Sequence, residues 1–190
     1  MNTLRRMPEA EALYRKAMAL RPDHPWNSNN LGYLLLDQGR NLDEAAKLIE
    51  AAYAQLPDEH SVTDSIGWLR YKQGRLDDET GPDGVVVPGC VTLLRKAIDL
   101  GGDGDATILD HLGDALWRRG AREEARVMWG RARESLRFDA ERFKDEAVRQ
   151  ALGEPMIARL EEELKAVEAK LEALDKNLDP PVSPIPAQQP

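Results

Sequence analysis

At 190 residues, with 42% apolar and 32% charged residues, the chain is long enough to bury a core and has the balance of a soluble, mostly helical protein. It contains no run of about 18 apolar residues, which excludes a membrane-spanning helix, and its single cysteine excludes an internal disulfide. A net charge of −8 argues against general binding to nucleic acid.

The segment from Met1 to Met7 carries Arg5 and Arg6 with no apolar run behind them. It does not read as a secretory signal, and a cytoplasmic compartment is expected. Residues 8–22 then hold one helix with Ala10, Leu13, Tyr14, Ala17 and Leu20 along a stripe. Its small-large-small signature, Ala10-Tyr14-Ala17, recurs as Ala45-Ile49-Ala52, Cys90-Leu94-Ala97 and Ala125-Trp129-Ala132. The first positions, 10, 45, 90 and 125, are separated by 35, 45 and 35 residues. A second signature stands before the last three copies: Leu31-Gly32, Ile66-Gly67 and Leu112-Gly113, with further glycines at Gly39, Gly74 and Gly120.

Small residues seven apart with a bulky one between them share one helix face and let a neighbouring helix approach. A glycine inside a helix costs about 1 kcal/mol relative to alanine, so three in register imply a packing reason. Gly39, Gly74 and Gly120 stand where a helix should stop. Cys90 takes a small-residue position and reads as a buried small hydrophobe rather than a reactive thiol.

A unit of about 34–35 residues with these two signatures resembles the tetratricopeptide repeat. Two copies also keep that family's proline, Pro22 after Ala17 and Pro57 after Ala52. The resemblance covers residues 8–136. It implies an all-α fold, a right-handed α-α superhelix, with a half repeat at 8–22 and full repeats at 25–57, 60–102 and 106–136. The half repeat is a second helix without its first and leaves an apolar face uncovered; a fragment of a longer array is the favoured reading, and cover by something else is the alternative.

The second full repeat carries an insertion, residues 79–89. Pro82-Asp83-Gly84 is a turn signal and Val85-Val86-Val87 a short extended run. Two readings stand: a surface loop folded on its own repeat, or a wall of a binding groove. The next junction, Gly101 to Asp105, lacks the family's proline, and its glycines make it looser than the others.

Beyond the repeats, residues 137–153 are expected to form a capping helix, with Phe138, Phe143, Ala147 and Val148 available to pack. Gly153-Glu154-Pro155 breaks the chain. A long coiled-coil-like helix is expected over 154–178, because Ile157, Leu160, Leu164, Val167, Leu171, Leu174 and Leu178 alternate steps of three and four. Its flanking charges favour neither parallel nor antiparallel self-pairing. Three readings therefore stand: it folds back on the array, self-associates through Ile157 to Leu178, or awaits a basic partner helix. The proline-rich tail, residues 179–190, cannot form a core and is expected to be extended and disordered.

No catalytic constellation is recognisable. His24, His60 and His111 share no metal-ligand spacing, the acidic clusters lack the pattern of a calcium loop, and no phosphate-binding loop exists. No enzyme activity, metal or cofactor is expected. What remains is a surface. The resemblance implies that first helices of successive repeats line a groove for peptides or partner helices. Its positions here are Asn29, Tyr33 and Leu36; Asp64, Trp68 and Tyr71; and Asp110, Asp114 and Trp117, with Asn30, Lys72 and Arg118 beside them.

Chaperone-binding members of the family hold a terminal carboxylate with basic residues at such positions. Asp64, Asp110 and Asp114 depart from that pattern and favour neutral or basic segments. The expected function is that of a non-enzymatic protein-interaction scaffold or adaptor. Two alternatives are a repeat segment of a larger enzyme and an oligomerisation module working through the heptad helix.

Overall fold

A computed structural model describes residues 3–186 and is almost wholly helical. The chain divides into two units: one of residues up to Leu100 with Ile185 and Pro186, the other Gly101–Pro184.

The first unit opens with α1 (Thr3–Leu20), followed by the hairpin α2 (Pro25–Asp37) and α3 (Leu42–Gln55), then by α4 (His60–Lys72) and α5 (Cys90–Asp99). The two sequence signatures prove to be halves of one contact. A Cβ on Gly32 would lie 2.8 Å from Cγ1 of Ile49, and one on Gly67 would lie 3.0 Å from Leu94. The bulky residue of each second helix fills the space its glycine leaves, while Ala45, Ala52, Cys90 and Ala97 are fully buried on either side of it. Gly39 and Gly74 adopt the left-handed region (φ 63° and 74°). There they close α2 and α4 with matching bonds, Arg40 N to Leu35 O and Arg75 N to Arg70 O, both 2.9 Å.

α1 packs on α2. Arg15 forks onto Glu44 of α3 with bonds of 2.7 and 3.0 Å at an exposed site. Leu13 and Leu20 of α1 are exposed.

The insertion forms a two-stranded antiparallel hairpin, β1 (Glu79–Thr80) and β2 (Val86–Val87), with Glu79 opposite Val87 and Thr80 opposite Val86. It is tied at its base, where the Gly89 N–H donates to Asp78 (2.9 Å) and the Cys90 N–H to the Arg75 carbonyl (2.9 Å). Val85 and Val86 are exposed.

The second unit begins with a 3₁₀ turn, Gly102–Gly104, and then holds α6 (Ala106–Arg118), α7 (Arg122–Arg142), α8 (Glu146–Leu152) and α9 (Glu154–Asp175). The glycine-rich junction is pinned at several points. Asp105 caps α6 by accepting from the Thr107 N–H at 2.9 Å, Arg131 donates to the Asp103 carbonyl and Ser135 to that of Gly104. The hairpin contact recurs in its tightest form: a Cβ on Gly113 would lie 2.3 Å from Nε1 of Trp129.

The C-terminal third departs from expectation. α7 continues six residues past the expected repeat boundary at 136 and ends at Arg142. Asp145 then caps the short α8, so residues 137–153 are split between two helices rather than forming one capping helix. The cover for α7 comes from α9, which packs along it with Ile157, Leu160, Val167 and Leu171 buried. The pairs Arg126–Asp175 (2.8 Å) and Arg137–Glu168 (2.6 Å) flank that seam. Of the three readings of the heptad helix, folding back is what occurs. Most of the stripe is used inside the chain, and self-association through Ile157–Leu178 would require undocking it.

The tail is irregular, as proline demands, but its first residues are held. Pro180 is buried and Ser183 is hydrogen-bonded to α6 at both its N–H and its carbonyl. This corrects the expectation of a disordered tail for residues 179–184. Residues 187–190 of that expected tail lie outside the described residues. Among the described residues, no helix is long and apolar enough to cross a membrane.

Candidate protein-interaction face on the third hairpin

α6 presents Asp110, Asp114 and Arg118 at intervals of four, so all three lie on one helix face. Asp114 is fully buried and its carboxylate is densely bonded. Oδ1 accepts from Trp129 Nε1 at 3.2 Å and from Lys170 Nζ at 2.6 Å. Oδ2 accepts from the Ser183 N–H at 2.8 Å. Lys170, on α9, also donates to both oxygens of Asp110 at 2.7 and 2.8 Å. One ammonium therefore bridges two carboxylates, with its side chain only 5% exposed.

The electrostatics follow from that arrangement. Burial works against the charge of Lys170, but Asp110 and Asp114 outweigh it and hold the ammonium above the ordinary lysine range. Burial likewise raises the Asp110 carboxyl; Lys170 opposes the shift and the neighbouring Asp114 adds to it. Two carboxylates sharing one cation leave the cluster short of positive charge. Rings complete the surroundings: Lys170 Nζ lies 5.7 Å from the Trp129 ring centroid, Trp129 tilts against Trp117 at 6.1 Å, and the Arg122 guanidinium lies 5.0 Å from the Trp117 ring.

The positions carried over from the repeat resemblance fall in two groups. In the first unit, Asn29, Leu36, Asp64, Trp68 and Tyr71 are buried and Tyr33 is half-buried, so none of the six stands exposed. Trp68 and Tyr71 stack at 4.4 Å with Lys72 Nζ 4.8 Å from the Trp68 centroid. In the second unit, Asp110 and Asp114 come together on Lys170, while Trp117 is half-buried beside them.

Sequence reasoning did not assign Lys170 or Ser183 to this site, and it placed Arg118 only beside it. A signal for Lys170 existed, since it is one of few lysines on an acidic helix and could have been matched to the paired aspartates. Ser183 gave none, because it takes part through its main chain.

No family model and no curated protein matches the chain. A solved structure described as "MamA RS-1 ArsTM double mutant" is similar to it over 75% of this chain and 70% of its own, at 22% identity and a TM-score of 0.49.

Proposed function

We propose that the chain is a non-enzymatic protein-interaction scaffold that takes a neutral or basic segment of a partner on α6, the first helix of its third hairpin. One observation supports this above the rest: the α6 face already holds a lysine side chain on Asp110 and Asp114 and the main-chain N–H and carbonyl of one residue on Asp114 and Arg118. Those are the two things a peptide-binding face must recognise, a side chain and a main chain. The resemblance of the repeats to tetratricopeptide units agrees with such a role. An oligomerisation role through the heptad stripe is less favoured, because α9 lays that stripe on α7.

The test is a pair of titrations of the full chain, one with a peptide ending in several acidic residues and one with a basic peptide of equal length. The basic peptide is expected to bind more tightly, and increasingly so as salt is lowered. Tighter binding of the acidic peptide would overturn the assignment.

A further inference from the structure

After α9 the chain turns at Asn177, which adopts the left-handed region (φ 55°), and runs across α6 as an irregular segment rich in proline. From 180 to 186, Pro180, Pro181, Pro184 and Pro186 have no N–H, so only Val182, Ser183 and Ile185 can donate. The Val182 N–H turns inward to the Pro180 carbonyl at 2.8 Å. The Ser183 N–H reaches Oδ2 of Asp114 at 2.8 Å, and the Ser183 carbonyl accepts from Nη2 of Arg118 at 3.1 Å. One carboxylate and one guanidinium, a helical turn apart, thus grip the two ends of one residue's main chain.

This grip has the character of a site rather than of a closed core contact. Asp114 is buried, and Trp129 and Lys170 both bond to Oδ1. The hydrogen bond to its second oxygen comes from the tail. A buried carboxylate oxygen needs a donor, and this one is met by a main-chain N–H, which any extended segment can supply. Arg118 is exposed and can follow a carbonyl that replaces that of Ser183. The prolines stiffen the segment at low entropic cost, and Pro184 biases Ser183 before it toward extended backbone, which suits recognition by two main-chain bonds.

We propose that Asp114 and Arg118 form a clamp for the main-chain N–H and carbonyl of one residue in an extended, proline-flanked segment, that residues 180–184 fill this clamp in cis, and that a partner carrying a segment of that chemistry binds by displacing them. The proposal rests on the scaffold reading above and specifies its ligand. The tail begins only a few residues beyond α9, so its effective concentration at the clamp is in the millimolar range, and an added peptide competes poorly while the tail is intact.

The experiment uses the full chain and a fluorescein-labelled peptide of the sequence of residues 179–186, followed by fluorescence polarisation. Ser183→Pro removes the N–H that Asp114 accepts and leaves the rest of the tail in place. Because that bond is charge-assisted, the variant should bind the labelled peptide about tenfold or more tightly than the wild type. Adding Arg118→Ala should weaken that binding several-fold, while circular dichroism confirms that all three proteins remain equally helical. Equal uptake by wild type and Ser183→Pro, including no uptake by either, overturns the proposal. So does indifference to Arg118→Ala. A lysine-bearing, proline-free peptide run in parallel separates the two readings. If it binds while the tail peptide is ignored, the scaffold reading stands and the clamp does not.

Discussion

The backbone of Gly113 lies so close to the indole of Trp129 that a Cβ at that position would come within 2.3 Å of Nε1. That nitrogen is not free to retreat, since it donates to the buried Asp114 at 3.2 Å. Gly113→Ala therefore sets about 1 kcal/mol gained in helix propensity against displacement of a buried, hydrogen-bonded ring. The ring should win, with a net loss of about 1–3 kcal/mol. Gly32→Ala should cost less, because its nearest neighbours, Cγ1 of Ile49 at 2.8 Å and the Ala45 carbonyl at 3.1 Å, lie further away than the indole does from Gly113. Gly130 is the contrasting case: it lies within α7, and nothing stands within 4 Å of a Cβ there. Gly130→Ala should stabilise the chain by up to about 1 kcal/mol. Urea unfolding of the three variants checks the order, and a stabilising Gly113→Ala would refute it.

The same contact explains why the hairpins were legible in the sequence. Close approach of two helices demands a glycine on one and a bulky residue between small ones on the other. That demand fixes residue types at fixed intervals, so Gly32 with Ile49, Gly67 with Leu94 and Gly113 with Trp129 declare themselves. The helix ends were legible for a similar reason, because Gly39, Gly74 and Gly120 occupy a backbone region that side chains disfavour.

The C-terminal third was harder to read. The stripe from Ile157 onward shows that an apolar face must be buried, but not against which element, and α7 proved to be the answer. Asp110 and Asp114 read as groove charges because their cation lies 60 and 56 residues further along the chain. The tail's docking was invisible, since its bonds to α6 use the N–H and carbonyl of Ser183, groups that every residue but proline shares.

Lys170 carries the next expectation. Its ammonium neutralises two carboxylates at a nearly closed site, and removing it strands the buried Asp114 beside Asp110 with no cation between them. Lys170→Met should cost about 3–5 kcal/mol. Asp110→Asn leaves one carboxylate facing one ammonium, a balanced pair, and should cost no more than about 1 kcal/mol. The diagnostic measurement is the double variant. If the cluster is short of positive charge, Asp110→Asn should recover part of the stability that Lys170→Met loses, giving a coupling of about 1 kcal/mol or more. Strict additivity in chemical denaturation would show that the three groups do not act on one another.

The cluster also sets a pH dependence whose sign can be worked out. Burial lowers the tendency of Lys170 to hold its proton, but the two aspartates more than restore it, and the net direction is upward from the ordinary 10.5. The folded chain then keeps that proton at pH values where the unfolded chain has released it. Between those two points the folded state binds more protons, so stability falls as pH rises. The contribution is complete below about pH 10.5 and disappears as the pH passes through the raised value. Asp110 is also shifted upward, chiefly by burial, from its ordinary 3.8. Its folded form therefore holds a proton longer as pH rises, and just above that value it too loses stability with increasing pH, opposite to a carboxylate stabilised in its charged form. Wild type and Lys170→Met compared by thermal unfolding isolate the lysine, because every other alkaline titration is common to both. The wild-type profile should decline more steeply above about pH 10.5, and the gap between the two should narrow there. Parallel profiles would mean that the Lys170 ammonium gains nothing from the two aspartates on folding, and with it would go the electrostatic basis for an α6 face that selects cations.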